Sequence, residues 1–147
     1  MRLTHQIFLA TVTSLLLAGS VQAAPDSEEL VGTWYSERQQ DGETMKWLTR
    51  RMDNQQYAAL FLVCNGEDLS WVQKETGEWQ FNNGELVETM MSMEDMNGKK
   101  QAPQGEGVDT TYVDLSIKGE ALHYQKKNSD TAFDFDRVAD GYQISCQ

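Results

Sequence analysis

The feature that most constrains the fold is a run of short strand-like segments that fills the chain from Gly32 onward. The segments are rich in Val, Ile, Thr, Tyr, Phe and Trp, and turn-forming residues such as Asp41-Gly42 and Asn65-Gly66 separate them. No stretch after Val31 keeps an apolar period of about 3.6 residues for long enough to form a helix. The pattern therefore predicts an all-β domain.

These strands are expected to close into a single antiparallel up-and-down β-barrel of about eight or nine strands, because closure removes exposed edges. A sandwich would require longer connections between its sheets. A short helical turn, Asp26–Leu30, precedes the first strand, with Asp26 or Ser27 as its N-cap. The predicted strands are Gly32–Gln39, Met45–Asp53, Gln56–Cys64, Leu69–Glu75, Glu78–Asn82, Leu86–Met93, Thr110–Lys118, Ala121–Lys127 and Thr131–Val138.

One connection is longer than the others. Asp95–Asp109 is polar and contains three Gly and one Pro, which predicts a mobile surface loop beside the mouth of the barrel. The chain has 147 residues, which suits one domain and not two.

The first 23 residues have the three zones of a secretory signal peptide. A basic start, Met1–Gln6, precedes the apolar run Ile7–Gly19, and small residues at Val21 and Ala23 form a cleavage site before Ala24. The alternative, a membrane anchor, is disfavoured because the run is too short to span a bilayer. We therefore predict a signal peptide at 1–23, a barrel domain at 24–147 without a membrane span, and a periplasmic or secreted location.

Cys64 and Cys146 are an even pair in a chain that is predicted to be exported, so a disulfide is expected. A reactive thiol is the weaker alternative, because there is no C-x-x-C motif and no basic residue adjoins Cys64. The bond is predicted to hold the C-terminal tail in place.

The charge of the chain excludes some partners. Twelve Lys and Arg against 23 Asp and Glu give a net charge of −11, which repels nucleic acids and anionic lipid surfaces. Such a surface could instead attract a basic protein. This leads to the alternative functional hypothesis of an acidic, inhibitor-like module that recognises a basic secreted enzyme.

The opening of the first strand resembles a known family. Gly32-Thr33-Trp34, directly after the helical turn, is similar to the G-x-W signature of lipocalins, and of the smaller bacterial lipocalin-like members of the calycins in particular. The resemblance implies that Trp34 plugs one end of the barrel and that Arg137, from the last strand, packs over its indole. It also implies a small apolar ligand inside the barrel. The middle T-D-Y motif of the family and its long C-terminal helix are absent.

Alternation along the strands divides their side chains between two faces. On the sixth predicted strand, Met91 and Met93 are expected inside, and Leu86 and Glu88 outside. Whether the inward set forms a pocket or a filled core stays open, because sequence does not determine interior volume. The predicted pocket-lining residues are Trp47, Trp79, Phe81, Met91, Met93, Phe133 and Phe135.

Catalysis and metal binding have little support. His123 is the single histidine after the signal peptide, without a Ser or Cys motif to serve as nucleophile, and Asp134 and Asp136 are predicted to face solvent. The methionine-rich segment Met90–Met96 could offer soft ligands for copper, but alternation would separate them. We predict no enzyme activity, no cofactor and no metal site.

Overall fold

The computed structural model describes residues 25–102 and 107–147, so the predicted signal peptide and part of the predicted loop lie outside it. The described chain is all-β apart from one helical turn, which confirms the predicted fold class. Its elements are α1 (Ser27–Leu30), β1 (Gly32–Gln40), β2 (Glu43–Arg51), β3 (Gln56–Asn65), β4 (Asp68–Asn82), β5 (Glu85–Asp95), β6 (Gly98–Gln101), β7 (Val108–Lys118), β8 (Ala121–Lys126) and β9 (Ala132–Val138).

Eight of the strands form a closed antiparallel barrel. The strands run in the order β4-β3-β2-β1-β9-β8-β7-β5, and a further pairing between β4 and β5 joins the two ends. The remaining strand, β6, pairs only with the last residues of β5, from Ser92 to Asp95. Closure leaves the eight barrel strands without a free edge along the ladder, as the run of tight turns predicts.

Two details of the strand prediction are wrong. The segments Leu69–Glu75 and Glu78–Asn82 form one continuous strand, β4, because Thr76-Gly77 is not a turn. A Cβ at Gly77 would lie 2.0 Å from the carbonyl oxygen of Thr89, so a glycine is needed where β4 and β5 approach closely. The segment Asp95–Asp109 is not wholly a loop, because β6 extends the β5 hairpin within it.

The C-terminal tail lies against the outer surface of the barrel. Asp140 accepts a hydrogen bond from Thr33 Oγ1 at 2.7 Å and contacts Arg50 Nη2 at 3.2 Å. Further along, Cys146 forms the predicted disulfide with Cys64 of β3. A disulfide is typical of an oxidising compartment, which supports a location outside the cytoplasm. Within the described ranges, no helix has the length and apolarity needed to cross a membrane.

Trp34 and Arg137 close one end of the barrel. The Trp34 side chain is fully buried, and the Arg137 guanidinium lies 4.1 Å from the centroid of its ring. Three consecutive carbonyls at the end of α1 accept hydrogen bonds from these two side chains: Glu29 and Val31 from Arg137, and Leu30 from the indole. The carbonyls at the end of α1 thereby gain hydrogen-bond donors from barrel side chains.

The first residue of β1, Gly32, lies where a side chain has no room. Its φ is +133°, and a Cβ there would lie 2.4 Å from Nη1 of Arg137. Any other residue would collide with the guanidinium that covers Trp34. The three residues that carry the lipocalin resemblance therefore form one contact group at the closed end.

Candidate functional site

A buried ion pair crosses the middle of the barrel. Arg51, at the end of β2, is fully buried and contacts the Glu88 carboxylate of β5 through Nε at 2.9 Å and Nη2 at 2.7 Å. Nη2 also donates to the Tyr124 hydroxyl of β8 at 3.2 Å. Burial alone lowers the pKa of Arg51, but the charges of and hydrogen bonds to Glu88 and Tyr124 together outweigh it and the pKa is raised, so the guanidinium stays charged.

The interior has a packed core and a cavity. Apolar side chains pack around Trp34, among them Leu30, Leu86 and Leu122, and this core continues to Tyr124 and Phe135. Tyr124 and Phe135 also line a central cavity of about 310 Å³. The residues that line the central cavity are Trp47, Thr49, Ala59, Leu60, Phe61, Gln73, Glu75, Glu88, Tyr112, Tyr124, Phe133 and Phe135.

The aromatic rings of the central cavity form a continuous group. Trp47 stacks on Phe61 with a centroid distance of 5.1 Å and meets Phe133 edge-on at 6.2 Å. Phe133 in turn contacts Tyr112 at 6.0 Å and Tyr124 at 5.7 Å. These separations are those of favourable ring pairs, so the wall of the cavity is held in place by its own packing.

Three tyrosines in or beside the cavity are held in the neutral form. Burial is the main cause that raises the pKa of Tyr57, Tyr112 and Tyr124, and the charge of Glu88 raises each of them further. Their hydroxyls are therefore protonated donors at neutral pH.

The structure brings together only some of the predicted pocket residues. Trp47, Phe133 and Phe135 line the central cavity. Trp79 and Phe81 instead line a separate groove of about 410 Å³ beside α1, where the Trp79 indole donates to the carbonyl of Met52.

The face assignment on β5 is wrong over most of its length. Met91 is exposed and Met93 is not part of the cavity wall, whereas Leu86 is fully buried and Glu88 faces the interior. The physical reason is a β-bulge: Thr76 pairs with Ser92 but Gly77 pairs with Met90, so Met91 is the extra residue and the alternation shifts by one.

Several residues of the site were not predicted from the sequence. Glu75 and Glu88 were missed because a charged residue on a strand is usually assigned to the solvent face. Tyr124 carried a signal that could have found it, because it is an aromatic residue between two polar neighbours on a strand.

Other candidate sites lie on the outside of the barrel. A groove of about 370 Å³ lies outside the barrel between β3 and the tail, lined by Leu48, Leu60 and Tyr142 among others. On the outer surface, His123 Nδ1 lies 2.7 Å from the exposed carboxylate of Asp134. Within the described part of the chain, no group of three or more His, Cys, Asp or Glu side chains could hold a metal ion.

Comparison with known proteins adds no family. No protein-family model matches the sequence, and no curated protein is significantly similar to it. The class of the protein therefore stands on its fold: a closed eight-stranded antiparallel barrel, compatible with the calycin type.

Proposed function

We propose that the protein binds a small, mostly apolar molecule in the central cavity of the barrel. The observation that carries this proposal is the cavity itself, which barrel strands form and six aromatic rings line. Ligand sites are typically concave, lined by apolar and aromatic groups, and contain a few polar groups that orient the ligand. Glu75, Gln73 and Thr49 are such groups here.

The size of the cavity restricts the ligand. Its volume of about 310 Å³ is near the lower end of ligand sites, which range from about 300 to 1,000 Å³. A dry cavity of about 150 Å³ holds benzene. The central cavity therefore suits a molecule of one or two rings, and a long acyl chain would have to extend outside it.

We also propose that the protein is a lipocalin-like member of the calycins. The closed barrel and the group formed by Gly32, Trp34 and Arg137 support this kinship. Binding without catalysis is the function we infer, in a periplasmic or secreted protein whose residues 1–23 act as the signal peptide.

The proposal is tested by filling the cavity from one wall. Ala58 and Ala59 are neighbours on β3 and both line the outer groove, but only Ala59 also lines the central cavity. A small aromatic probe such as indole or naphthalene should bind to the protein, which calorimetry measures without interference from the fluorescence of the probe. Ala59→Leu is expected to weaken that binding by about tenfold or more, because the added atoms occupy ligand volume.

Ala58→Leu is the matched control, since it adds the same volume on the opposite face of the same strand. It should leave probe binding unchanged. Equal losses in the two variants, or binding that survives Ala59→Leu, would place the ligand elsewhere and overturn the proposal.

The alternative of a basic protein partner rests on the net charge of −11. A complex held by such charge should weaken steeply with salt, because exposed charges are screened over about 10 Å at 0.1 M ionic strength. Co-purification with basic secreted enzymes at low and high salt tests this second function. A stable complex at high salt would argue against charge as its basis.

A further inference from the structure

The charges that face the central cavity do not cancel. Two carboxylates line it, Glu75 and Glu88, and no lysine or arginine does so among the described residues. Arg51 balances the charge of Glu88, since its Nη2 lies 2.7 Å from the carboxylate. Glu75 accepts a hydrogen bond from the Gln73 amide at 2.6 Å, but no basic side chain in the described ranges lies within ion-pair distance of it. The wall of the cavity therefore carries one unbalanced negative charge.

The aromatic rings also favour a positive charge in the central cavity. The face of an aromatic ring is the negative end of its quadrupole, so rings that surround a small volume favour a cation there. Trp47, Tyr112, Tyr124 and Phe133 all contribute rings to the wall. Burial is the main cause of the raised pKa values of Tyr57 and Tyr112, and the charges of Glu75 and Glu88 raise both further.

One cation, Arg38, contacts the aromatic group without lining the central cavity. Arg38 approaches the Trp47 ring to 6.0 Å, but its Nη2 donates to the carbonyl of Ala132 and it is not part of the cavity wall. Arg38 therefore shows that a cation is tolerated on this aromatic group without neutralising Glu75.

From these observations, and resting on the proposed function, we propose that the ligand of the central cavity is a small organic cation. A protonated amine or quaternary ammonium carried on one or two rings would place its charge beside Glu75 and its apolar part among the aromatic side chains. A carboxylate ligand of the same shape would meet the unbalanced charge of Glu75 and is disfavoured.

Three probes with one ring system separate charge from shape: phenethylammonium, phenethyl alcohol and phenylacetate. Calorimetry on the disulfide-bonded protein should show the cation binding about tenfold more tightly than the alcohol, with the anion weakest. Glu75→Gln keeps the shape and the hydrogen bond to Gln73 but removes the charge, so it should abolish most of the preference for the cation. Binding of the neutral alcohol should not change.

Glu78→Gln is the matched control, because Glu78 is an exposed carboxylate on the same strand and does not line the cavity. It makes the same change in net charge and should leave all three affinities unaltered. Equal affinity for the three probes, tightest binding of phenylacetate, or a cation preference that survives Glu75→Gln would overturn the inference.

The two proposals can fail separately. If the neutral alcohol binds and is blocked by Ala59→Leu while the cation has no advantage, the cavity is a binding site but not one for cations. If none of the three probes binds, the cation inference fails, and the indole experiment with Ala59→Leu decides the proposed function on its own.

Discussion

The closed end and the middle of the barrel each place an arginine near an aromatic ring, but the two arginines have different partners. Arg137 lies over Trp34, donates to the backbone carbonyls of Glu29 and Val31, and lies 3.5 Å from the exposed carboxylate of Glu120. Arg51 lies 5.6 Å from the Tyr124 ring, is fully buried and faces the Glu88 carboxylate at 2.7 Å. A partly hydrated guanidinium is stable with backbone acceptors and one more distant carboxylate, whereas a fully buried one requires a close negative partner.

The two regions also differ in how their interior is filled. At the closed end, the large side chains of Trp34 and Leu30 are fully buried in the apolar core. Around Glu88, by contrast, six aromatic side chains line a cavity of about 310 Å³. The comparison predicts that substitutions at the closed end affect mainly stability, and substitutions in the cavity wall affect mainly binding.

The largest expected effect is at the closed end. Trp34→Ala should lower the free energy of unfolding by about 3–5 kcal/mol, because it removes a fully buried indole and leaves a cavity under Arg137. Trp47→Ala, beside an existing cavity, should cost less than about 2 kcal/mol. Urea denaturation of both variants measures the difference. A larger loss at Trp47 than at Trp34 would contradict this difference between the closed end and the cavity wall.

The next effect is expected at the ion pair between Arg51 and Glu88. Glu88→Leu should cost about 3–5 kcal/mol, because it leaves Arg51 charged and buried without its carboxylate. The double variant Arg51→Met with Glu88→Leu should be more stable than Glu88→Leu alone, since it removes the uncompensated charge. Thermal denaturation of the single and double variants checks this order. A double variant that is less stable than Glu88→Leu would show that the unpaired charge of Arg51 is not the cause of the loss.

The disulfide is expected to contribute about 2–4 kcal/mol, because it limits the unfolded chain across a long loop. The double variant Cys64→Ser with Cys146→Ser should unfold at a correspondingly lower urea concentration. Binding of an aromatic probe should be retained, since the bond lies on the outside of the barrel. Loss of binding in a variant that is still folded would connect the tail to the site.

Gly32→Ala should destabilise the protein by about 1–3 kcal/mol, because its Cβ would strike Arg137 and its φ is positive. Gly42→Ala is the control: its φ is also positive, but nothing lies within 4 Å of the added Cβ. The excess loss in the first variant measures the contact with Arg137. Equal losses would mean that backbone conformation alone requires Gly32.

The last expected effect appears only at alkaline pH. The pKa values of Tyr57, Tyr112 and Tyr124 are raised above the ordinary tyrosine value of 10.0, so the native state holds these protons to higher pH than the unfolded state. Stability should be constant below about pH 9 and decrease above pH 10, by up to about 1.4 kcal/mol per pH unit for each tyrosine. Melting temperatures across this range, with Tyr112→Phe showing a shallower decrease, test the assignment.

The strand pattern could be predicted from local sequence, because the tight turns predict consecutive antiparallel strands. The contact between Trp34 and Arg137 at the closed end is what the resemblance to lipocalins implies, and the structure shows it. Where the prediction was wrong, the ladder was irregular. Gly77 looks like a turn residue, but it is the point where β4 and β5 approach most closely.

By itself the sequence determined an all-β barrel with one disulfide, because turn residues, alternation and paired cysteines act over short distances or through simple counting. Only the tertiary structure decided what the barrel encloses. A bulge at Met91 reverses the faces of β5, and a glutamate on a strand is buried only if a distant arginine meets it. The inward position of Glu88 therefore depends on Arg51, 37 residues away in the chain. Only the closed barrel brings these two side chains together.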